Sequence, residues 1–260
     1  MSTEAERPTA PEAPNAWWIP LTVLAAIAAV LLVAPHLPTP GTERLYRWDA
    51  YASSLVFFLL VAQFCRRSDR VRAVSRAAVI TLVCGALAAV IVLNLADVEI
   101  ASDIAKIAFG AVAGMSFVRA IERPWWFLPI CVCVPLADAW SVFSSQGVTR
   151  AVVNKAADNR NWLDWPTIAT PIGGLPYEFF GRIGIVDIIF LTLFLGAADR
   201  FGLGVRRGLI ALPLAFVATN VIAFEGWVDA VPALPLLCLA FLGAYGAALW
   251  RDLRADLARR

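Results

Sequence analysis

The chain is poor in the residues that most catalytic sites use. It has one histidine, His36, together with two lysines and five cysteines among 260 residues. A His-Glu-x-x-His zinc motif is therefore absent, and a serine–histidine mechanism has only His36 to draw on. The cysteines fall in or beside apolar runs without metal-ligand spacing. They predict neither a metal centre nor a disulfide framework.

Charged residues are scarce as well. They make up 16% of the sequence, 60% of it is hydrophobic, and the mean hydropathy is +0.71. This is too apolar for an ordinary soluble domain, and apolar runs of roughly 20 residues, long enough to cross a bilayer, recur along the chain. We predict an all-α polytopic membrane protein. The net charge of +2 does not indicate nucleic-acid binding, because the arginines lie beside apolar runs.

The apolar runs divide the chain into four parts. Residues 1–16 are rich in Pro, Glu and Ala and lack the basic start of a signal peptide, so they predict a disordered tail. Residues 17–124 hold about four N-terminal spans, residues 125–250 hold the second half with an outer loop at 144–180, and residues 251–260 form a basic tail. The eight predicted spans are Trp17–Ala34, Tyr51–Phe64, Ala77–Leu95, Ile104–Val118, Trp125–Phe143, Gly181–Ala198, Leu209–Phe224 and Ala230–Trp250.

The outer loop is too rich in proline to be one helix. Pro166, Pro171 and Pro176 interrupt it, and its tryptophans predict a partly interfacial segment. The β-branched residues of 148–153 predict a short strand there.

Arginine clusters follow the second, fourth, sixth and eighth spans, whereas the loop that contains Asp97, Glu99 and Asp103 is acidic. With eight spans all four clusters lie on one side, which predicts that this side and both termini are cytoplasmic. The excess of arginine over lysine, 20 to 2, with abundant Ala and Leu, is typical of a G+C-rich bacterial genome. The expected location is therefore a bacterial plasma membrane.

Two aspartates interrupt the apolar runs of the second half. Asp138 lies five residues before the end of the fifth span, roughly 8 Å below the outer surface, and Asp187 lies six residues into the sixth, roughly 9 Å down. Pro232 opens the eighth span at about the same level. An acid at membrane depth is a functional-site hypothesis by default. The order and depth of these features predict one shared site.

Two carboxyls within hydrogen-bond reach can divide the work of peptide hydrolysis. One ionises and draws a proton from water, while the other keeps its proton and donates to the peptide carbonyl. Gly184 lets another backbone approach Asp187 closely, and Pro232, which lacks an N–H, frees carbonyls that can receive a substrate strand.

These residues resemble the motifs of the presenilin and signal peptide peptidase family of GxGD intramembrane aspartyl proteases. Ala137-Asp138-Ala-Trp-Ser-Val-Phe143 is similar to the family's first aspartate helix, and Arg182-Ile-Gly-Ile-Val-Asp-Ile-Ile-Phe190 is similar to the second. Pro232-Ala233-Leu234 matches the Pro-Ala-Leu motif. The likeness covers about residues 130–240, and spans one to four match only in being apolar.

The resemblance implies a presenilin-like bundle with Asp138 and Asp187 as the catalytic pair on adjacent antiparallel helices. Gly184, Val186 and the Pro232-Ala233-Leu234 motif would support the active site and dock the substrate. The implied substrates are transmembrane segments or leftover signal peptides within the bilayer, and no metal or organic cofactor is implied. The sequence gives no indication of accessory subunits.

Two departures from the family pattern keep other readings open. Ala137 stands where the family has tyrosine, and Val186 stands where it has the second glycine of Gly-x-Gly-Asp. A non-catalytic relative that binds membrane helices is one alternative. A proton- or cation-coupled transporter that uses both acids is another. Of the remaining polar residues, Lys106 is expected to snorkel or pair with Asp103, and Ser116 and Met115 to serve packing.

Overall fold

A computed structural model describes residues 18–38, 42–158, 161–177, 180–225 and 231–259. The tail predicted at residues 1–16 lies outside the described residues. The elements in chain order are α1 (Trp18–Val33), α2 (Glu43–Arg67), α3 (Arg76–Leu95), α4 (Glu99–Ala120), α5 (Phe127–Phe143), α6 (Val148–Asp158), α7 (Asn161–Asp164), β1 (Thr167–Thr170), β2 (Gly181–Gly184), α8 (Ile185–Arg200), α9 (Val205–Phe224) and α10 (Ala233–Leu257).

Long apolar helices dominate this architecture. Among the described residues, seven helical segments are long and apolar enough to cross a membrane, and they contain α1, α2, α3, α4, α5, α9 and α10. The remaining predicted span, the sixth at Gly181–Ala198, corresponds to α8, which has only 16 residues because the chain before it is extended. The prediction of an all-α polytopic membrane protein with about eight helices is confirmed.

Several predicted boundaries shift in the structure. The second span was predicted at 51–64 but α2 runs from Glu43 to Arg67, since a helix continues past the apolar core while its polar residues face water. Likewise α4 begins at Glu99 rather than Ile104. The side-chain oxygens of Thr42 and Ser75 accept hydrogen bonds from Leu45 N and Ala78 N and so cap the starts of α2 and α3.

The predicted strand at residues 148–153 is wrong, because this segment belongs to the helix α6. The Ser141 hydroxyl oxygen accepts a hydrogen bond from Thr149 N at 3.1 Å and so satisfies an amide at the helix start. The strands of the outer loop lie further along. β1 and β2 form an antiparallel pair, hereafter the ribbon, with Thr167 opposite Gly184 and Ala169 opposite Arg182.

A seam of glycines joins α4 to α8 in the most extensive helix–helix contact of the described chain. A Cβ at Gly114 would lie 2.5 Å from the Ile189 carbonyl oxygen, and one at Gly110 would lie 2.9 Å from Ile188. On α8, Gly196 lies against the Met115 side chain of α4 in the same way. Small residues four apart let two membrane helices approach at the backbone. The close approach fixes α8 against α4.

Aromatic rings hold α5, α8 and α10 together. The rings of Phe194 and Phe241 stack with centroids 4.4 Å apart, and Phe127 lies 5.3 Å from Phe241 and 6.0 Å from Phe194. All three side chains are fully buried. Since Phe127 opens α5 while Phe194 lies in the second half of α8, these two helices run antiparallel.

The ends of α4 and α8 and the turn after α2 meet at one end of the bundle, which we call the arginine-rich end. Arg72, Arg119 and Arg200 line one cavity of about 550 Å³ there. The guanidinium of Arg119 donates to the Val74 carbonyl at 2.9 Å, and Arg123 pairs with Asp256 of α10. The prediction that these arginine clusters share one side agrees with this geometry.

Candidate active site

Asp138 lies on the last turns of α5 and contacts the start of α10. Its Oδ2 accepts a hydrogen bond of 3.2 Å from Leu234 N, and its side chain is half-buried. α5 ends at Phe143 as predicted, which keeps Asp138 five residues from the helix end. The bond brings the first aspartate and the Pro-Ala-Leu segment together, as the sequence predicted.

Asp187 lies in the first turn of α8 rather than six residues into a helix. The residues Gly181–Gly184 pair with β1, so α8 begins only at Ile185 and Gly184 becomes its N-cap. The Gly184 N–H donates to Asp187 Oδ2 at 3.0 Å. A Cβ at Gly184 would lie 3.0 Å from that oxygen, which leaves little room for a side chain there. The contact found at Gly184 is with the Asp187 carboxylate itself, and the predicted approach of another backbone stays a prediction.

The two carboxylates lie near the meeting point of α5, α8 and α10. They are close enough to interact electrostatically. Each accepts a hydrogen bond from an amide in the N-terminal region of a helix, Asp187 at α8 and Asp138 at α10. Helix N-termini present unpaired N–H groups and a partial positive charge, and both favour a carboxylate. The geometry brings the two acids together while leaving each one held by a different helix.

The Pro-Ala-Leu segment supplies the start of α10. Pro232 is the N-cap residue in an extended conformation, and Ala233 and Leu234 are buried. Because Pro232 lacks an N–H, it offers no donor of its own at this helix start. The Leu234 amide is left to hold Asp138. Residues 226–230, where the eighth span was predicted to begin, lie outside the described part of the chain.

One flank of the site is open toward the surface of the bundle. Val186 is 52% exposed beside Asp187, and Leu136 and Trp140 of α5 are 67% and 68% exposed. α5 packs chiefly against α10 and has only slight contact with α8. In a bilayer, this apolar flank faces lipid. The flank formed by Val186, Leu136 and Trp140 is thus both apolar and exposed.

A second buried polar group lies outside the two acids. Lys106 of α4 is 1% exposed, and its Nζ donates to Asp103 Oδ1 at 3.1 Å and to the Asp164 carbonyl at 2.6 Å. The predicted pairing of Lys106 with Asp103 is confirmed. Its connection to the outer loop was not predicted, although an acid and a lysine three residues apart on an apolar helix were a visible signal.

The remaining sequence candidates serve the fold. Ser116 donates to the Val112 carbonyl of its own helix at 2.7 Å, and Met115 is buried in the core, so both are packing residues as predicted. His36 is exposed after α1. Within the described ranges, no three side chains of His, Cys, Asp or Glu are grouped so as to hold a metal ion.

Comparisons with known proteins do not identify a family for this chain. A scan against protein-family models finds no match, and a search of curated proteins finds no relative.

Proposed function

We propose that the chain is an intramembrane aspartyl protease of the GxGD type, with Asp138 and Asp187 as the catalytic pair. The observation that carries the proposal is the convergence of the two carboxylates with the Leu234 amide at the meeting point of α5, α8 and α10. Acids in apolar helices are costly, and bringing two of them together raises that cost. Two carboxyls that share a proton can catalyse peptide hydrolysis, and this function would account for the arrangement.

The hydrolysis needs one ionised and one protonated carboxyl. The ionised aspartate takes a proton from a water molecule as the water oxygen attacks the peptide carbonyl carbon, and the protonated one donates to the carbonyl oxygen. Collapse of the tetrahedral intermediate breaks the C–N bond, and the amine leaves with a proton. The water oxygen ends in the new carboxyl group, so no covalent enzyme intermediate is required.

Substrate access follows from the open flank. A transmembrane helix diffusing in the bilayer reaches the acids between α5 and α8 without leaving lipid. It has to unwind locally, because a helical carbonyl is occupied by its own hydrogen bond. β2 leads directly into Asp187, and β1 occupies one of its edges. An unwound substrate segment can pair with the other edge, which places its peptide bonds beside the acids.

The location and orientation of the protein are also proposals. With the arginine-rich end in the cytoplasm, both termini are cytoplasmic and the site lies toward the outer face of a bacterial plasma membrane. This resembles the orientation of signal peptide peptidase and favours leftover signal peptides and type II membrane segments as substrates.

The test is cleavage of a single-span reporter helix by the purified protein in liposomes. Asp138→Asn and Asp187→Asn should each lower cleavage by at least about a hundredfold, since each removes one member of an acid–base pair. Glu122→Gln is the matched control, because Glu122 is an exposed acid at the arginine-rich end. A hydroxyl-containing transition-state analogue should inhibit the wild type.

The other outcomes separate the alternatives. Folded wild-type protein that cleaves none of several substrate helices yet binds them identifies a non-catalytic binder. Proton or cation flux that depends on both acids identifies a transporter. Equal activity of Asp187→Asn and the wild type would contradict the proposed mechanism outright.

A further inference from the structure

The buried charges of α4 lie away from the proposed dyad and are not used by its chemistry. Asp103 is fully buried and Lys106 is 1% exposed, in a helix whose other buried residues are mostly small and apolar. A buried ion pair is a poor source of stability, because desolvating both charges offsets their attraction. Its position relative to the ribbon gives it a different role.

Asp103 holds β1 directly. Its Oδ2 accepts a hydrogen bond of 2.8 Å from Ala169 N in the middle of β1, and it also accepts one from the Tyr177 hydroxyl. Its other oxygen accepts from Lys106 Nζ. All of these donors are buried or half-buried, so the carboxylate is satisfied from the protein side. Through Asp103, α4 is therefore hydrogen-bonded to β1, the strand that pairs with β2.

Lys106 holds the end of α7, just before β1. Its Nζ donates to the Asp164 carbonyl, while the Asp164 carboxylate pairs with Arg182 of β2 at 2.9 Å. These contacts of Asp103, Lys106 and Asp164 therefore reach both strands of the ribbon. One strand is fixed through Asp103 and Lys106, and the other through Arg182.

The ribbon in turn places Asp187. Ala169 lies opposite Arg182 and Thr167 lies opposite Gly184, the residue whose amide binds Asp187 Oδ2. The Ile185 amide adds a hydrogen bond of 2.9 Å to the Pro166 carbonyl, directly next to the Thr167–Gly184 pair. A shift of β1 would therefore displace β2 and with it Gly184, the N-cap residue of α8.

We propose that the buried Asp103–Lys106 pair is a positioning device that sets the Asp187 carboxylate through the ribbon. The effect on catalysis rests on the proposed function, whereas the effect on the position of the ribbon does not depend on it. Asp103 and Lys106 touch neither substrate nor the reacting atoms and act through the position of β1.

Two charge-neutral double variants test this positioning role without leaving a lone buried charge. Asp103→Asn with Lys106→Met keeps a side-chain oxygen that can accept from the Ala169 amide. Asp103→Leu with Lys106→Met has the same branched side-chain skeleton at residue 103 but no acceptor. Removing one charge alone would be strongly destabilising, whereas neutral pairs of similar shape are tolerated. The two proteins therefore differ in the hydrogen bonds of residue 103.

Two readouts are measured on the full-length protein in liposomes. Hydrogen exchange followed by mass spectrometry should be at least about tenfold faster at residues 167–170 and 181–184 in the leucine variant than in the asparagine variant. The amides of α9 serve as the reference and should exchange equally. The kcat for reporter cleavage should fall at least about tenfold more in the leucine variant, at similar thermal stability.

Equal exchange of the ribbon in both variants would overturn the proposal. So would a loosened ribbon with unchanged kcat, because the ribbon would then not set the acid. If wild-type protein cleaves no substrate, the proposed function fails separately. The exchange comparison then decides alone whether Asp103 holds the ribbon.

Discussion

The two helices that carry the acids are held in very different ways. α8 lies against the glycine seam of α4, and its residues 191–198 are all buried. α5 has exposed apolar side chains along much of its length and packs chiefly against α10. Asp187 is also held by the ribbon through Gly184, whereas the hydrogen bond found for Asp138 is the 3.2 Å contact with Leu234.

This difference assigns separate tasks to the two sides of the site. The rigid side, α4 with α8 and the ribbon, keeps one acid in a fixed place. In the proposed protease, the less tightly packed side, α5, is the one that would move to admit a substrate helix. A site that has to open laterally and still align two carboxyls benefits from having one fixed reference.

The largest effect is expected from breaking the rigid side at Gly114. In Gly114→Ala the new methyl group would lie 2.5 Å from the Ile189 carbonyl oxygen and 2.7 Å from Thr192 Cβ. Separating α4 from α8 should cost about 3 kcal/mol of unfolding free energy. Displacing Asp187 should lower cleavage by about a hundredfold. Thermal unfolding and the reporter assay measure the two effects.

Gly85→Ala is the matched control for that substitution. Gly85 lies in α3, and a Cβ built there meets nothing within 4 Å. Its replacement should leave cleavage unchanged and stabilise the helix by about 0.5–1 kcal/mol. Comparable losses in both variants would show that the seam is not special.

A smaller effect is expected at Val186, on the open flank of α8. Its side chain is 52% exposed beside Asp187, so Val186→Gly removes an obstacle without opening a core cavity. We expect kcat/KM to rise a few-fold, which corresponds to about 1 kcal/mol, with Val186→Ala in between. Reporter kinetics over the three side chains measure this. A loss of activity along the series would mean that Val186 contacts the substrate productively.

The smallest effect is expected where α2 meets the end of α9. Glu225 accepts from the Tyr51 hydroxyl at 2.8 Å and pairs with Arg47, and these two contacts, the first more than the second, hold the pKa of Glu225 below its ordinary value of 4.5. A carboxyl with a lowered folded pKa stabilises the fold above its unfolded pKa and loses that contribution as the pH falls through the folded one.

Tyr51→Phe should therefore lower the Tm slightly at pH 7, and the difference from wild type should shrink as the pH falls below 4.5. Tyr46→Phe is the control, since the Tyr46 ring packs on Phe224 and its hydroxyl is not bonded to Glu225. A Tm difference that stays constant with pH would assign the effect of Tyr51 to packing alone.

The sequence predicted the second half of the chain better than the local structure of its loop. Hydropathy located the helices, and the positions of Asp138 and Pro232 along them followed from counting residues. Asp187 was placed too deep because Gly181–Gly184 reads as the start of an apolar helix. Those residues form a strand only because β1 supplies the hydrogen-bond partners, which no local pattern encodes.

Tertiary contacts also determine the structure of the segment at residues 148–153, which was predicted as a strand and forms part of α6. The valines of 148–153 favour extended structure, but Ser141 caps a helix start there and Gly147 allows the chain to turn closely against Ser141. By contrast, the glycines at 110 and 114 were readable as a helix contact motif, although nothing in the sequence identified α8 as the partner.

The length of α10 has a practical consequence. Its 25 residues form one unbroken rod, roughly 37 Å long at 1.5 Å per residue, from Leu234 at the site to the basic tail. Asp256, near the far end of the rod, is fastened to Arg123. Since one helix joins the two ends, we expect a bulky reporter fused at the tail to disturb the hydrogen bond between the Leu234 amide and Asp138. Assays of this protein should carry such a fusion on a long, flexible spacer.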